Sequence, residues 1–287
     1  MYVTADSIDW NKLWMNAKSA CGQNADSDKI ECATIWNNKD VAKRFDQIAT
    51  RDNYAKGIER INKMYIDPDC TVLDVGAGPG TLAIPLAKRV KSVTAIEPAP
   101  GMFECLKDHI REEYIENIVC INKKWEDVSL SEIGKHDVVF ASMSLGMFDL
   151  QAALRKMNDA ANHYVYVFHH IDKSDWWAYY DKLWPKVHNK PYVPGPGANY
   201  VYNILYDMEI YANVENKYHR PWKEEYPTLD DAVAQFKAYI GAVTPEQESA
   251  LRKHLPEILV QKDNGAFTLP DDGNLPYAMI WWDKKGV

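Results

Sequence analysis

The sequence predicts an α/β protein with a doubly wound, mostly parallel seven-stranded sheet, N-terminal helices and a helical cap insertion. Two observations support this fold class. Between residues 71 and 168, strand-like apolar segments alternate with helix-like segments, which is typical of a parallel sheet covered by helices on both faces. Two further strand-like segments, 213–219 and 277–282, bring the expected number of strands to seven.

The elements follow one another in a regular order. Residues 7–18 predict a helix capped by Ser7, because Trp10 and Trp14 lie on one apolar face, and further helical segments are expected between about residues 27 and 65. The expected strands are 71–75, 92–97, 117–122, 137–141, 164–168, 213–219 and 277–282. The expected helices extend from the turn after the first strand to Val90 and cover 101–112, 150–161, 174–187, 203–210, 228–241 and 244–260. The last of these begins with a capping box at Thr244-Pro-Glu-Gln247.

The chain is rich in Trp and Tyr, with 10 and 17 residues against 7 Phe. Many of these aromatic residues fall in a predicted insertion, residues 172–202, which also contains the Pro/Gly loop 191–197. We expect residues 1–66 to form an N-terminal helical cap and residues 67–287 to form the core, with its C-terminal elements completing the same sheet.

Charge and composition narrow the class of protein. The 287 residues carry 33 Lys+Arg and 41 Asp+Glu, a net charge of -8, which argues against a nucleic-acid partner because such proteins need clustered cations. No long apolar run predicts a membrane span, and the N-terminus does not resemble a secretory signal. The 5 cysteines are scattered, as expected for reduced thiols in a cytoplasmic protein. Monomer and homodimer both remain open.

The most informative segment is the glycine-rich turn after the first strand, Asp74-Val-Gly76-Ala-Gly78-Pro-Gly80. Such a turn lets a ligand lie against bare backbone, and both dinucleotides and S-adenosylmethionine bind turns of this kind. The third position of the dinucleotide fingerprint falls on Thr81, and Asp74 would oppose a pyrophosphate. Glu97, at the end of the second strand, can accept hydrogen bonds from ribose hydroxyls of either ligand.

These segments resemble the class I S-adenosylmethionine-dependent methyltransferases, which have a Rossmann-like fold. Asp74–Gly80 is similar to the family's first motif, Thr94-Ala-Ile-Glu97-Pro to the second, Lys124-Trp125-Glu126-Asp127-Val128 to the adenine segment, and Asp137–Leu145 to the fourth strand and its loop. The resemblance implies cofactor-binding roles for Asp74, Gly76, Ala77, Gly78, Gly80, Glu97, Pro98, Trp125, Glu126 and Ser142. Plain core packing for Trp125, a solvated carboxylate for Glu126 and a small spacer for Ser142 are the alternatives.

Departures from related motifs exclude some acceptors. Ala141-Ser-Met-Ser144 replaces the Asn/Asp-Pro-Pro-Tyr/Phe tetrapeptide of enzymes that methylate adenine or glutamine nitrogens, so such substrates are not expected. Asp149 and Asp172 alone are too few for a magnesium site, and we expect no metal.

The acceptor side is expected at the end of the fifth strand. His169 or His170 lies there as a candidate base or orienting group, the alternative being a polar strand end that takes no part in chemistry. Aromatic side chains could exclude water from the acceptor, or could pack as ordinary core or at a dimer interface. The candidates for the acceptor pocket are Trp36, Tyr54, Trp176, Trp177 and Tyr200, and further candidates for a covering lid are Tyr180, Trp184, Tyr192 and Tyr202.

Together these features predict a methyltransferase that uses S-adenosylmethionine to methylate an O, N, S or C atom of a small molecule. The pocket would be closed by the N-terminal helices and the insertion 172–202. Three alternatives stay open: a protein side chain as acceptor, a non-catalytic S-adenosylmethionine binder, and a nicotinamide-dependent oxidoreductase.

Overall fold

The computed structural model describes residues 8–21, 36–171, 177–220, 224–270 and 275–284. Its strands are β1 (Thr71–Val75), β2 (Ser92–Ile96), β3 (Ile118–Ile121), β4 (His136–Ser142), β5 (Ala161–His170), β6 (Asn213–His219), β7 (Glu225–Tyr226), β8 (Val260–Gln261), β9 (Phe267–Thr268) and β10 (Leu275–Asp283). Its helices are α1 (Trp10–Ala20), α2 (Lys39–Thr50), α3 (Ala55–Ile61), α4 (Ala83–Ala87), α5 (Pro100–Glu112), α6 (Leu130–Ile133), α7 (Leu150–Ala160), α8 (Trp177–His188), α9 (Ala198–Asp207), α10 (Leu229–Ile240) and α11 (Pro245–His254).

The central sheet contains seven strands in the order β3-β2-β1-β4-β5-β10-β6. The first five strands along the chain are parallel, with Leu73 of β1 opposite both Thr94 and Val139. Strand β10 runs antiparallel between β5 and β6, and places Tyr277 opposite His170 and Lys217. This confirms the predicted mostly parallel seven-stranded sheet. The strand order reverses between β1 and β4, where ligands bind in open α/β sheets.

Alternating side chains divide the core between the two faces of the sheet. On β1, Leu73 and Val75 pack on the face covered by α1, α7 and α9, while Val72 packs on the face covered by α3 and α4. Period-two alternation in a strand buried on both sides produces this division. It also fixes which strand-end side chains meet at the carboxyl edge of the sheet.

Helices α8, α10 and α11 enclose a separate hydrophobic core together with a small sheet, β7-β9-β8. Tyr179, Tyr180 and Trp184 of α8 are buried there against Phe236 of α10 and Leu251 of α11. The expectation that the C-terminal elements complete the central sheet is therefore right for β6 and β10 and wrong for residues 224–270. Each strand of the small sheet has two residues, too few to show an apolar period.

Several helix boundaries differ from those predicted. Ser7 lies outside the described residues, and Asp9 caps α1 by accepting a hydrogen bond from the Lys12 amide. The helical region expected between about 27 and 65 is interrupted between α2 and α3, where Asn53 and Tyr54 have positive φ angles of 55° and 62°. Residues 22–35 of that region lie outside the described chain. Helix α4 ends at Ala87, three residues before the predicted end at Val90. Helix α9 begins at Ala198, five residues before the predicted start at Asn203.

None of the described helices combines the length and the apolar character that crossing a membrane requires.

Candidate active site

The turn after β1 brings three glycines to the carboxyl edge of the sheet. Gly76, Gly78 and Gly80 have φ angles of 79°, 57° and 92°, a backbone region that residues with a Cβ rarely adopt. At Gly76 a Cβ would also lie 2.4 Å from the Cβ of Ser144, in the loop after β4. At Gly78 a Cβ would meet no atom within 4 Å among the described residues, so the turn presents bare backbone to open space.

Two buried carboxyl groups flank this turn. Asp74 is 2% exposed and Glu97 is 6% exposed. One carboxylate oxygen of Glu97 accepts a hydrogen bond from the Gly78 amide and the other from the Ala99 amide, each at 2.7 Å. Burial raises the pKa of Glu97 to about 7, against the opposing effect of these two amides. Burial and the charge of Glu97 hold the pKa of Asp74 well above its usual range.

The geometry of Glu97 fits a nucleoside with a free ribose diol. Each carboxylate oxygen has two lone pairs, and only one on each oxygen is used by a backbone amide, so each can accept one hydroxyl hydrogen. The two buried carboxyl groups also favour a cationic ligand, since a nearby positive charge stabilises their ionised forms. A sulfonium with an amino group suits this environment better than a pyrophosphate.

The predicted adenine segment packs close to the sheet. Trp125 is 2% exposed, and its indole Nε1 donates a hydrogen bond to the Ala153 carbonyl at 3.1 Å. The ammonium of Lys156 lies 4.5 Å from the centroid of the indole ring and donates to the Trp125 carbonyl. Glu126 is exposed beside it. The structure thus anchors the Trp125 ring in the core, and the adenine roles of Trp125 and Glu126 stay predictions.

Asn122, which no sequence motif indicated, holds Pro98 and the end of β2 in place. The side-chain amide of Asn122 donates to the Glu97 carbonyl at 2.7 Å and to the Pro98 carbonyl at 3.2 Å. Asn122 follows β3, so it ties two neighbouring strand ends together and fixes the backbone that carries the Glu97 carboxylate. A polar side chain at a strand end was the available signal.

The loop after β4 approaches the glycine turn closely. The hydroxyl of Ser144 donates to the Val75 carbonyl at 2.6 Å, and Met143 has a positive φ of 55°. The hydroxyl of Ser142 accepts a hydrogen bond from the Arg60 guanidinium at 3.1 Å. Arg60 belongs to α3, a segment in which no sequence motif indicated a functional residue. Ser142 itself lies at the carboxyl end of β4, where its predicted cofactor role requires it.

The two candidate histidines have different environments. His169 places its Nε2 3.0 Å from the Pro196 carbonyl, which can only accept, so Nε2 carries the proton. Burial lowers the pKa of His169 to about 4. Burial, with the nearby His169, His219 and Arg60, lowers the pKa of His170 to about 3. Both imidazoles are therefore neutral near pH 7 and weakly basic, and a catalytic role for either stays a prediction.

The predicted pocket aromatics occupy separate places. Tyr200 contacts Trp10 and Trp14 of α1, with ring centroids 6.0 and 6.4 Å apart. Trp36 packs on Phe45, 5.0 Å between centroids, in a cluster with Ala99 and Met102 beside the end of β2. The Tyr54 hydroxyl donates to the carboxylate of Glu113 at 2.7 Å, next to α5. Trp176 and the side chain of Trp177 lie outside the described residues.

Three of the predicted lid residues lie in the separate core around α8. The Tyr180 hydroxyl donates to the Tyr239 carbonyl at 2.6 Å, and its ring stacks on Tyr192 at 4.7 Å. Trp184 is buried beside them and stacks on His188 at 4.0 Å. These rings fill the interior of the insertion and its neighbouring helices, so the structure favours the packing alternative for them.

Comparisons with known proteins agree with this geometry. Residues 72–164 match a family model described as a methyltransferase domain. An uncharacterized protein of Haemophilus influenzae is 24% identical over 257 residues, covering 88% of this chain and 90% of that protein. A probable ribosomal RNA small subunit methyltransferase A of Methanosphaera stadtmanae is 38% identical over 73 residues, 25% of this chain and 26% of that protein.

The fold is also similar to solved structures. The crystal structure of a putative methyltransferase from Bacillus halodurans matches with a TM-score of 0.52 and 12% identity, covering 81% of this chain and 99% of that chain. The matched domain contains the glycine turn and Glu97, and the central sheet is the predicted mostly parallel sheet of seven strands. Residues 72–164 therefore form a methyltransferase domain, and the fold is that of the class I methyltransferases, whose methyl donor is S-adenosylmethionine.

Proposed function

We propose that this methyltransferase acts on a small-molecule acceptor, at an O, N, S or C nucleophile, bound over the carboxyl ends of β4 and β5. The observation that carries the proposal is that this edge is covered by side chains from other parts of the chain. Helix α1 covers it through Trp14, whose indole Nε1 donates to the Met147 carbonyl at 3.0 Å. The segment after α8 covers it through the contact of Pro196 with His169.

Helix α1 is firmly attached at this position. Trp14 is fully buried, and its ring lies 5.9 Å from that of His169. The side-chain amide of Asn11 donates to Asp149, the N-cap of α7, at 3.0 Å. A covered edge suits an acceptor small enough to be enclosed, whereas a protein side chain would need an open groove beside the methyl site.

The residues of the chain provide orientation more than proton transfer. S-adenosylmethionine supplies an electrophilic methyl group on its sulfonium when it is bound. Glu97 would hold the ribose, and the glycine turn would lie against the nucleoside, so that these residues would orient the cofactor for transfer. Alignment of this kind lowers the barrier of an in-line displacement. His170, neutral near pH 7, can accept a hydrogen bond from an acceptor hydroxyl or amine and orient its lone pair.

The broader expectations accompany this proposal. We keep the N-terminal helical cap (residues 1–66) and the insertion 172–202 as the elements that close the acceptor pocket on the core (67–287). A net charge of -8 supports a partner other than nucleic acid. We place the activity in the cytoplasm, without a membrane partner, and size-exclusion chromatography with light scattering decides between monomer and homodimer.

The test follows the methyl group. Purified protein is incubated with S-adenosylmethionine labelled on the methyl carbon and a whole-cell extract, and the label is measured separately in the acid-precipitated protein and in the soluble filtrate. We expect label in the filtrate, and no label with the matched variant Glu97→Ala. Label confined to the precipitate would show a macromolecular acceptor. Isothermal titration with S-adenosylmethionine and with NAD separates the remaining alternatives, since tight binding of NAD alone would overturn the proposal.

A further inference from the structure

Polar side chains from four strands meet on one face of the sheet at its carboxyl edge. Ser142 of β4 lies opposite Phe168 of β5, so it shares a face with His170, two residues further along β5. Tyr277 of β10 lies opposite His170, and His219 of β6 lies opposite Leu275 on the same face. The ring of His219 is 5.5 Å from that of Tyr277.

Arg60 of α3 reaches this group of side chains. Its guanidinium donates to the Ser142 hydroxyl at 3.1 Å, and its central carbon lies 5.5 Å from the centroid of the Tyr277 ring. The charge of Arg60 is one cause of the lowered pKa of His170. The guanidinium is therefore close to Ser142, His170 and Tyr277 at once, at the carboxyl end of β4.

Two lysines lie near this group of side chains, and each of them is paired with a carboxylate. Lys63 forms an ion pair with Glu59 at 2.5 Å and donates to the Tyr277 hydroxyl at 3.2 Å. Lys217 of β6 forms an ion pair with Glu215 at 2.7 Å. Among the described residues, Glu59 and Glu215 are the carboxylates that form ion pairs with Lys63 and Lys217. Arg60 adds a further positive charge, in a chain whose net charge is -8.

We propose that the methyl acceptor carries a carboxylate or another small anionic group, and that Arg60 binds that group. The inference rests on the proposed function, because it assigns the chemical class of the same acceptor. The Ser142 hydroxyl and the Tyr277 ring orient the guanidinium, whose planar set of donors matches a carboxylate in two parallel hydrogen bonds. His170, neutral near pH 7, adds a donor or an acceptor beside it without a competing charge. Arg60 would thus select the acceptor.

The first experiment fractionates the acceptors before the reaction. A small-molecule extract is separated on ion-exchange resins into acidic, neutral and basic fractions, and each is incubated with the protein and methyl-labelled S-adenosylmethionine. Separation comes first because a methyl ester would lose the charge of its acid. We expect label to be transferred in the acidic fraction. Transfer only in the neutral or basic fraction would overturn the anionic assignment and leave the small-molecule function standing. Transfer in none of them would contradict the proposed function itself.

The second experiment changes Arg60. With Arg60→Gln, we expect the amount of acidic fraction that gives half-maximal rate to rise about tenfold or more, because a charge-assisted pair is lost. Arg60→Lys keeps the charge without the planar donors, so its half-saturating amount of acidic fraction should lie between those of the wild type and Arg60→Gln. Lys56→Gln is the matched control, since Lys56 lies on the same helix and donates to the Arg220 carbonyl instead.

A binding measurement makes the variants interpretable. Titration with S-adenosylhomocysteine reports whether each variant is folded and holds the nucleoside. We expect its affinity to change much less than the half-saturating amount of acceptor. Should Arg60→Gln fail to fold, Arg60→Lys provides the same test, because it keeps the charge and removes the planar set of donors. Unchanged acceptor saturation in a folded Arg60 variant would refute the role of Arg60.

Discussion

Glu97 gives the protein a pH dependence that can be calculated in sign and size. Its pKa is about 7 in the folded chain and ordinarily 4.5. Between these values the folded state holds a proton that the unfolded state has released, so stability falls as pH rises. The stabilisation is complete below about pH 4.5 and is lost as pH passes through 7. Asp74, whose pKa is also raised, acts in the same direction.

The size follows from the pKa difference. A rise from 4.5 to about 7 corresponds to a loss of about 3 kcal/mol of unfolding free energy between pH 4.5 and pH 8. The cofactor responds in the opposite sense, because a ribose diol donates to the ionised carboxylate. As the pH rises towards the pKa of Glu97, we expect the affinity for S-adenosylhomocysteine to increase by up to about tenfold per pH unit. Above that pKa the affinity should level off.

The assay is urea unfolding and isothermal titration from pH 5 to pH 8. In Glu97→Gln, we expect a shallower fall in stability with pH and weak cofactor binding that no longer follows pH. The exposed Glu116→Gln is the matched control and should behave as the wild type. A wild-type unfolding free energy that stays level between pH 5 and pH 8, or an unaltered slope in Glu97→Gln, would refute the reasoning.

Three further predictions concern the packing of the site. Gly76→Ala should lower the unfolding free energy by about 1–3 kcal/mol more than Gly134→Ala. Both positions have a positive φ, but only at Gly76 would the new methyl group meet Ser144. Equal effects of the two substitutions in urea unfolding would contradict this prediction. Trp14→Phe should cost about 1–3 kcal/mol, since a buried carbonyl loses its donor; a neutral effect would mean that α1 is not held there. Tyr180→Phe should also lower stability in urea unfolding yet leave the affinity for S-adenosylhomocysteine unchanged, and a large loss of affinity would place Tyr180 in the site.

The order of elements from β1 to β5 could be predicted because strand-like apolar segments alternate there with helix-like segments. Strand β6 has the predicted bounds, Asn213–His219, and β10 extends the predicted 277–282 by two residues at its start and one at its end. The small sheet could not be predicted, because two-residue strands such as Glu225–Tyr226 carry no period. The break before α3 depends on the positive φ of Tyr54, which tertiary packing against α5 stabilises and local sequence does not signal.

The candidate site divides in the same way. Its predicted cofactor half lies on neighbouring strand ends, so local motifs predict Asp74, Gly76 and Glu97 as cofactor-binding residues. Its acceptor half depends on contacts between distant segments. Arg60 meets Ser142 across 82 positions of the chain, and Trp14 meets Met147 across 133, and neither pairing leaves a pattern in a single sequence.

A crystal structure with S-adenosylhomocysteine tests the central claim most directly. We predict that the ribose hydroxyls donate to the two oxygens of Glu97, that the nucleoside lies against Gly78, and that the sulfur faces Ser142 and the Arg60 guanidinium. A nucleoside bound away from Glu97, or a sulfur directed away from the ends of β4 and β5, would contradict the account.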